Sequence, residues 1–232
     1  STYSWSAANN PNVTGETTTT STATTITDDL VNGTTSPQTV TYTITPTSSD
    51  GCAGPPQAIT VDVDPLPSMI SSSSETICSE DALSINLQSN ISSTFQWSAA
   101  NNTNVTGEST TTQTATSITD ALTNNSTAIQ TVNYTVTPTS TGGSCVGSAQ
   151  AVTVTVNPKP VMTSANNATV CSGTSPSLAL TSNMGATYAW VAASNLDVSG
   201  ESTTTQTTST ISDVLTTSTG TPETVNYTVY ST

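Results

Sequence analysis

Acidic side chains provide most of the groups in this sequence that could do chemistry. Among 232 residues there are fifteen Asp and Glu and one basic residue, which gives a formal net charge of −14. Two acidic positions recur along the chain, and recurring carboxylates are the ligands that a calcium site would use. They are Glu16, Glu108 and Glu201, and Asp28, Asp120 and Asp213.

Calcium binding is nevertheless not predicted. A calcium ion takes about six to eight oxygen ligands. The two recurring acids supply only two side chains at each recurrence, which is too few. The densest acidic pair, Asp62 and Asp64, is replaced by Thr155 and Asn157 one repeat later. We therefore expect no metal and no other cofactor. We interpret the acids as caps of turns and as a negative surface that repels other copies of the chain.

Groups for catalysis are almost absent. The chain has no histidine and no arginine, and a Ser–Lys dyad requires a positioned lysine. Lys159 lies between Pro158 and Pro160 and does not recur, so we expect a solvated lysine and no enzymatic activity. The negative charge excludes nucleic acid as a partner, because phosphate would be repelled. No apolar run approaches the roughly 20 residues of a membrane helix, so we expect no membrane insertion.

The sequence repeats itself with a long period. Tyr42 to Tyr134 spans 92 residues, and Tyr134 to Tyr227 spans 93. A unit of this size exceeds the roughly 20–50 residues of most solenoid repeats and suits a small domain. The other landmarks in the same register are Trp5, Trp97 and Trp190; Gly15, Gly107 and Gly200; Leu30, Leu122 and Leu215; and the cysteine pairs Cys52 and Cys145, and Cys78 and Cys171.

The best-preserved stretch of the repeat predicts a β-strand. Residues 130–138 read Gln-Thr-Val-Asn-Tyr-Thr-Val-Thr-Pro, and close copies occupy 38–46 and 223–230. Apolar side chains two residues apart indicate a strand with one buried face. Since proline donates no ladder hydrogen bond, we expect the strand to end at Pro138 and at Pro46.

The complete repeat predicts an immunoglobulin-like β-sandwich. Seven short strands with turn-rich gaps are expected, the first of them broken in the middle. In such a fold a Trp on the third strand packs against one residue from each sheet. Leu87, Trp97 and Val136 occupy these places, with Tyr134 at the position of a tyrosine corner. The corresponding residues of the third segment are Leu180, Trp190, Val229 and Tyr227.

Two proline-rich junctions divide the chain. We expect residues 1–65 to be the rear part of one domain, 66–158 a complete domain and 159–232 the front part of a third. The junctions read Asp-Pro-Leu-Pro at 64–67 and Asn-Pro-Lys-Pro at 157–160. Two prolines within three residues favour a short, stiff, extended connection. The simplest explanation of the two partial repeats is a window from a longer secreted chain.

Several motifs together resemble a known family. They are Ile-Thr-Asp-Ala-Leu-Thr-Asn at 118–124, the strand at 130–138, Gly-Ser-Cys-Val-Gly at 143–147 leading into 152–160, and Val-Cys-Ser-Gly-Thr at 170–174. The chain resembles the PKD-like, immunoglobulin-like repeats of giant cell-surface adhesins of Bacteroidota. The resemblance implies export by the type 9 system, display outside the outer membrane, and a role in adhesion or gliding motility. One departure is Glu80, which stands where the third segment has Gly173.

The functional prediction is an extracellular structural repeat that forms the stalk of an adhesin or surface filament. Its partners would be neighbouring repeats of the same chain, and an extracellular polysaccharide or protein. The alternative is a module whose loops bind a glycan or a protein. Binding loops concentrate aromatic anchors, whereas the Trp and most Tyr residues here are assigned to the core, which favours the stalk.

The four cysteines leave two disulfide patterns open. Recurring cysteines suit an oxidising compartment, with buried free thiols as the alternative. One pair per repeat suggests a Cys78–Cys145 bond within the middle domain. However, Cys78 precedes the second strand and Cys145 follows the sixth, and these loops lie at opposite ends of an immunoglobulin-like sandwich, too far apart for a disulfide. The second pattern therefore links each cysteine to a cysteine of the adjacent repeat.

Overall fold

The structure, a computed structural model, describes all residues 1–232 and consists of strands, turns and loops without any helix. Consequently, no helix is long and apolar enough to cross a membrane. The strands are β1 (Thr2–Ala7), β2 (Val13–Thr14), β3 (Val31–Asn32), β4 (Gln38–Thr47), β5 (Gln57–Val63), β6 (Ser74–Cys78), β7 (Ile85–Asn86), β8 (Ser93–Ala99), β9 (Val105–Thr106), β10 (Ser117–Ile118), β11 (Thr123–Asn124), β12 (Gln130–Ser140), β13 (Gln150–Asn157), β14 (Leu178–Ala179), β15 (Tyr188–Ala192), β16 (Val198–Ser199), β17 (Thr210–Ile211), β18 (Thr216–Thr217) and β19 (Tyr227–Ser231).

The middle of the chain forms a sandwich of two sheets. The larger sheet has the order β6-β13-β12-β8, in which β6 runs parallel to β13 and the other pairs are antiparallel. The smaller sheet pairs β7 with β10, and β9 pairs with β11 beside it. Alternate side chains of β12 and β13 are buried, as the period of two predicts. The all-β, immunoglobulin-like fold class predicted from the sequence is confirmed.

The first strand of this sandwich is divided between the sheets. Met69 forms a bridge with Ser89 on the smaller sheet, and β6 then pairs with β13 on the larger one. Serines occupy positions 71–74 between the two pairings. The chain thus closes the edges of both sheets, and Cys78 at the end of β6 lies opposite Asn157 at the end of β13.

One expectation about the strand ends is wrong, because β12 continues past Pro138 to Ser140, and β4 continues past Pro46 to Thr47. Pro138 lies opposite Phe95 of β8. The Pro138 carbonyl accepts a hydrogen bond from the Gly147 N–H, which lies on the edge of β12 that faces away from β8. Pro138 therefore occupies a position that makes no ladder hydrogen bond to β8, so the missing proline N–H costs nothing there.

The first and third segments repeat the register of the middle one. Ala99, Ala7 and Ala192 each lie opposite the tyrosine of their own segment. Their cores are smaller: sixteen buried residues cluster in the middle segment, five in the first and three in the third. In the first segment no strand covers the outer edge of β5, and Val61 is 38% exposed, whereas Val154 of β13 is fully buried.

Candidate functional site

A tryptophan on β1, on β8 and on β15 anchors the same group of contacts in the three segments. Trp97 lies opposite Val136 on β12, and its backbone pairs with Gln113 on the other side. Its indole N–H donates to the carbonyl of Ala115 at 3.0 Å. Trp5 donates to Ala23 at 2.9 Å and Trp190 to Thr208 at 3.0 Å. The three indoles are nearly buried, so each large side chain also has its one polar atom satisfied.

A tyrosine packs edge-on against each indole. It lies two residues before the residue that pairs with the tryptophan on the neighbouring strand. The ring centroids of Trp97 and Tyr134 are 5.8 Å apart with an interplanar angle of 64°. The Trp5–Tyr42 and Trp190–Tyr227 pairs have nearly the same geometry. Edge-to-face pairs of this kind contribute about 0.5–1.5 kcal/mol beyond the area they bury. Tyr227 is only half-buried, because no strand pairs with the other edge of β19.

The hydroxyl of each tyrosine donates to the recurring aspartate. Tyr134 donates to Asp120 Oδ2 at 2.8 Å. Asp120 also accepts the Ser109 N–H at 2.8 Å and the Ser109 hydroxyl at 2.7 Å. The other segments reproduce all three bonds. We call this group the Trp–Tyr–Asp cluster; its members are Trp5, Tyr42 and Asp28, Trp97, Tyr134 and Asp120, and Trp190, Tyr227 and Asp213.

The cluster shifts the ionisation of its members. Burial, with the hydrogen bond to Asp28 and the charge of that carboxylate, raises the pKa of Tyr42 to about 12. The same causes raise the pKa values of Tyr134 and Tyr227 further. Burial alone would raise the pKa of Asp28, but hydrogen bonds from Thr17 and Tyr42 outweigh it and lower that pKa. The neutral form of the tyrosine is thus favoured in all three clusters, and the carboxylate form is favoured at Asp28.

The recurring Gly-Glu pairs shape the turn beside each cluster. Gly107 has φ +97°, and a Cβ built on it would lie 2.0 Å from the carbonyl oxygen of Ala121. Only glycine fits this left-handed and crowded position. Glu108 Oε1 accepts the Asn102 N–H at 3.0 Å. Glu16 and Glu201 make the same bond in their segments, so both recurring acids are used as hydrogen-bond acceptors.

One buried polar residue was missed by the sequence analysis. Asn124 is 7% exposed and donates to the carbonyls of Ala128 and Val156, while its own N–H donates to the Ser79 hydroxyl. It connects the start of β12 to the end of β13. Asn32 lies 92 residues earlier and makes the corresponding bond to Val63. This recurrence was the available signal, although the third segment has Thr217 at that position.

The candidate metal ligands are not brought together: no three His, Cys, Asp or Glu side chains lie close enough to hold a metal ion. Lys159 makes a 3.0 Å ion pair with Asp81, which raises its pKa. Both side chains are about half exposed, so the pair contributes little stability. It does tie the second junction to the turn after β6.

The disulfide suggested within the middle domain is not formed. All four cysteines are free, and three of them are exposed. Cys78 ends β6, next to the end of β13, whereas Cys145 lies between β12 and β13. The seven to eight residues of β13 separate the two ends, or about 25 Å at 3.3 Å per residue, which is far beyond disulfide reach.

Glu80 and Gly173 occupy equivalent turns of the middle and third segments. The two residues differ, but the two turns have the same shape. Glu80 has φ +68° and Gly173 has φ +83°. In both turns the N–H of this residue donates to a leucine carbonyl, of Leu122 and of Leu215. A side chain at positive φ carries strain that glycine avoids. The turn geometry is therefore preserved despite the substitution.

Comparisons with known proteins place these features in a family. The model of the PKD-like domain matches residues 1–67, 75–160 and 168–232. No curated protein matches the chain. Among solved structures, the chain is similar to the FN1–FN3 domains of chicken CNTN1, with 11% identity, 98% of this chain and 77% of that chain covered, and a TM-score of 0.31. It is also similar to EC22–24 of mouse cadherin-23, with 13% identity, 93% and 75% coverage, and a TM-score of 0.27. The three matched stretches of the family model cover nearly the whole sequence, and the chain therefore belongs to the PKD-like domain family.

Proposed function

We propose that the chain is part of the stalk of an extracellular adhesin or surface filament, and that it acts mechanically in adhesion or gliding motility. The observation that carries the proposal is the Trp–Tyr–Asp cluster, which recurs with the same partners and nearly the same distances in three successive segments. A binding site would be expected in one place. A stalk needs the same stabilising unit in every repeat.

The middle repeat has the construction expected of a load-bearing unit. Strand β12 is paired along both edges, with β8 and with β13. Its buried side chains Val132, Tyr134 and Val136 are fully enclosed. Pulling such a strand from the sandwich would break the hydrogen bonds to both neighbouring strands and expose these buried side chains at the same time. We accordingly propose domains at residues 1–65, 66–158 and 159–232, with the middle one complete.

The junctions support an extended arrangement. Pro65 and Pro67 are buried, and a Cβ built on Gly147 would lie 2.0 Å from the Pro67 carbonyl oxygen. The loop between β12 and β13 therefore packs directly on the first junction. Two fixed proline φ angles and this close contact leave the connection few free torsions. A stiff connection keeps successive domains in line.

The surface suits a location outside the cell. We propose display outside the outer membrane of a Bacteroidota-type cell, after export by the type 9 system, with a surface polysaccharide or protein as the distant ligand. The support is the family membership and the net charge of −14, which repels neighbouring threads. All three tryptophans are buried in domain cores and do not contribute to an exposed binding surface.

The decisive test combines shape with location. Chains carrying two, four and six copies of residues 66–158 should give small-angle scattering of a rod whose length rises in proportion to the copy number. Antibodies against residues 66–158 should label threads on intact source cells. A control with glycine in place of Pro158 and Pro67 at every junction should bend freely. Compact particles, or labelling only after the cells are broken, would overturn the proposal.

A further inference from the structure

The free cysteines occupy two places in the fold. Cys78 lies at the turn that follows β6, and Cys171 lies at the corresponding turn of the third segment; the carbonyl of each accepts an N–H three residues later. Cys52 and Cys145 lie in the loop before the last strand. There, Cys145 exchanges hydrogen bonds with Ser140, and Cys52 does the same with Ser48. Each place is thus held in one backbone geometry in two different segments.

The first place is the exit of a domain. Cys78 lies opposite Asn157, the last residue of β13, and the next residue of the turn, Ser79, donates its N–H to the Asn157 carbonyl at 2.8 Å. Asn157 is followed at once by the proline junction. The Cys78 side chain is exposed. A cysteine at this place is therefore presented toward whatever follows the junction.

The second place is the entrance of a domain. A Cβ built on Gly143 would lie 2.1 Å from Asp64 Oδ2 and 2.9 Å from Asp64 Cβ, so this loop touches the end of the preceding segment. Gly147 touches Pro67 in the same way. Cys145 lies between these two glycines along the loop. It is therefore held against the first junction.

The two places meet at one position of the repeat. Asp64 follows Val63, which pairs with Gln38, and Asn157 follows Val156, which pairs with Gln130. Asp64 and Asn157 are therefore equivalent. A cysteine equivalent to Cys78 in the preceding domain would lie one strand spacing, about 4.8 Å, from Asp64, and the loop of Cys145 also contacts Asp64.

We propose that Cys145 forms a disulfide with the Cys78-equivalent residue of the preceding repeat, and Cys78 with the Cys145-equivalent residue of the following one. The inference rests on the proposed stalk, because it requires adjacent complete repeats. In each bond the two thiols lose two protons and two electrons, and a disulfide oxidant such as oxidised glutathione takes them up and is released as two thiols. Every domain junction would thereby be closed covalently beside its prolines.

The bond would change how the stalk carries force. With an interdomain disulfide (a staple) at each junction, load passes from the exit of one domain to the entrance of the next through this covalent bond as well as through the proline segment. The junction also loses part of its remaining bending freedom. Reduction would leave the sandwiches folded, since no domain core contains a cysteine, but would loosen the joints between them.

The test uses the full chain with residues 66–158 repeated once, directly after residue 158. Oxidation in a glutathione redox buffer should remove two thiols per monomer and join Cys78 of the first copy to Cys145 of the second, seen as one cross-linked peptide after cleavage at acidic residues. Since the copies are identical, variants assign the bond. Cys78→Ser in the first copy should abolish the cross-link, and the matched Cys78→Ser in the second copy should leave it intact.

The other outcomes are equally informative. A bond within each copy would be halved by either variant, and bonds between chains would appear as dimers on a non-reducing gel; either result, or unchanged thiols, overturns the proposal. Tryptophan fluorescence establishes that each variant is folded. A rod-like scattering profile without the cross-link would reject the staple while leaving the stalk intact, whereas a compact particle would reject the stalk itself.

Discussion

The hydroxyl of Tyr134 donates a 2.8 Å hydrogen bond to Asp120, fourteen residues earlier in the chain. The phenol ring is fully buried against Trp97, while the carboxylate is only partly covered. A tyrosine corner usually bonds to backbone; here the acceptor is a charged side chain that also holds Ser109. The bond therefore connects β12 to the segment between β10 and β11 and, through Ser109, to the segment between β9 and β10.

Replacing Tyr134 by Phe should destabilise the middle domain by about 1.5–3 kcal/mol, the range for hydrogen bonds to charged groups. The lower end is expected, because solvent still reaches Asp120. Urea unfolding followed by tryptophan fluorescence measures the change, with Tyr3→Phe at an exposed residue as the control. A double-mutant cycle with Asp120→Asn should give a coupling energy of similar size. Full additivity of the two substitutions would show that the bond contributes nothing.

The raised tyrosine pKa values predict a loss of stability at high pH. Because the folded-state pKa values exceed the ordinary value of about 10, this contribution is complete below pH 10 and is lost as the pH rises through the folded values, about 12 for Tyr42 and higher for Tyr134 and Tyr227. Phenolate absorbance should show that Tyr42, Tyr134 and Tyr227 ionise only well above pH 10. Ionisation of these three tyrosines near pH 10 in the folded protein would contradict the cluster.

Truncation of Trp97 to Ala should cost roughly 3–5 kcal/mol, as is usual for a buried aromatic residue. The side chain is 5% exposed and loses its hydrogen bond to Ala115 as well as its contact with Tyr134. Trp97→Phe is the matched control and should cost less, since it keeps an aromatic ring in the core. Differential scanning calorimetry can distinguish the middle domain from its neighbours. A cost below about 1 kcal/mol would show that the core collapses around the gap.

The repeat spacing made much of this fold predictable, and the limits have physical causes. Period-two patterns gave the strands, and the recurrence of Trp97 and Tyr134 pointed to one sandwich in several copies. Recurrence also marked Asp120, but its partner could not be found, because a contact fourteen residues away depends on how the strands pair. Pro138 was misjudged for the same reason. Whether a proline breaks a ladder depends on which edge its nitrogen faces.

Calcium should leave the melting temperature unchanged. Glu108 and Asp120 already accept hydrogen bonds from backbone N–H groups and from side-chain hydroxyls, so binding a cation would require these bonds to be broken. Thermal melts in millimolar calcium and in chelator should coincide, with magnesium as the control for ionic strength. A large upward shift in calcium alone would mean that the carboxylates form a metal site in the assembled protein.

Gly147→Ala should loosen the first junction without unfolding the domain. Its Cβ would lie 2.0 Å from the Pro67 carbonyl oxygen, a backbone atom that cannot turn aside, so the loop must move off the junction. Gly54 is the equivalent residue of the first segment and contacts only Pro46, which makes Gly54→Ala the matched control. Small-angle scattering should show a broader distribution of interdomain angles for Gly147→Ala and an unchanged distribution for Gly54→Ala. If both profiles match the wild type, the prolines alone set the stiffness, and the loop contact is incidental to it.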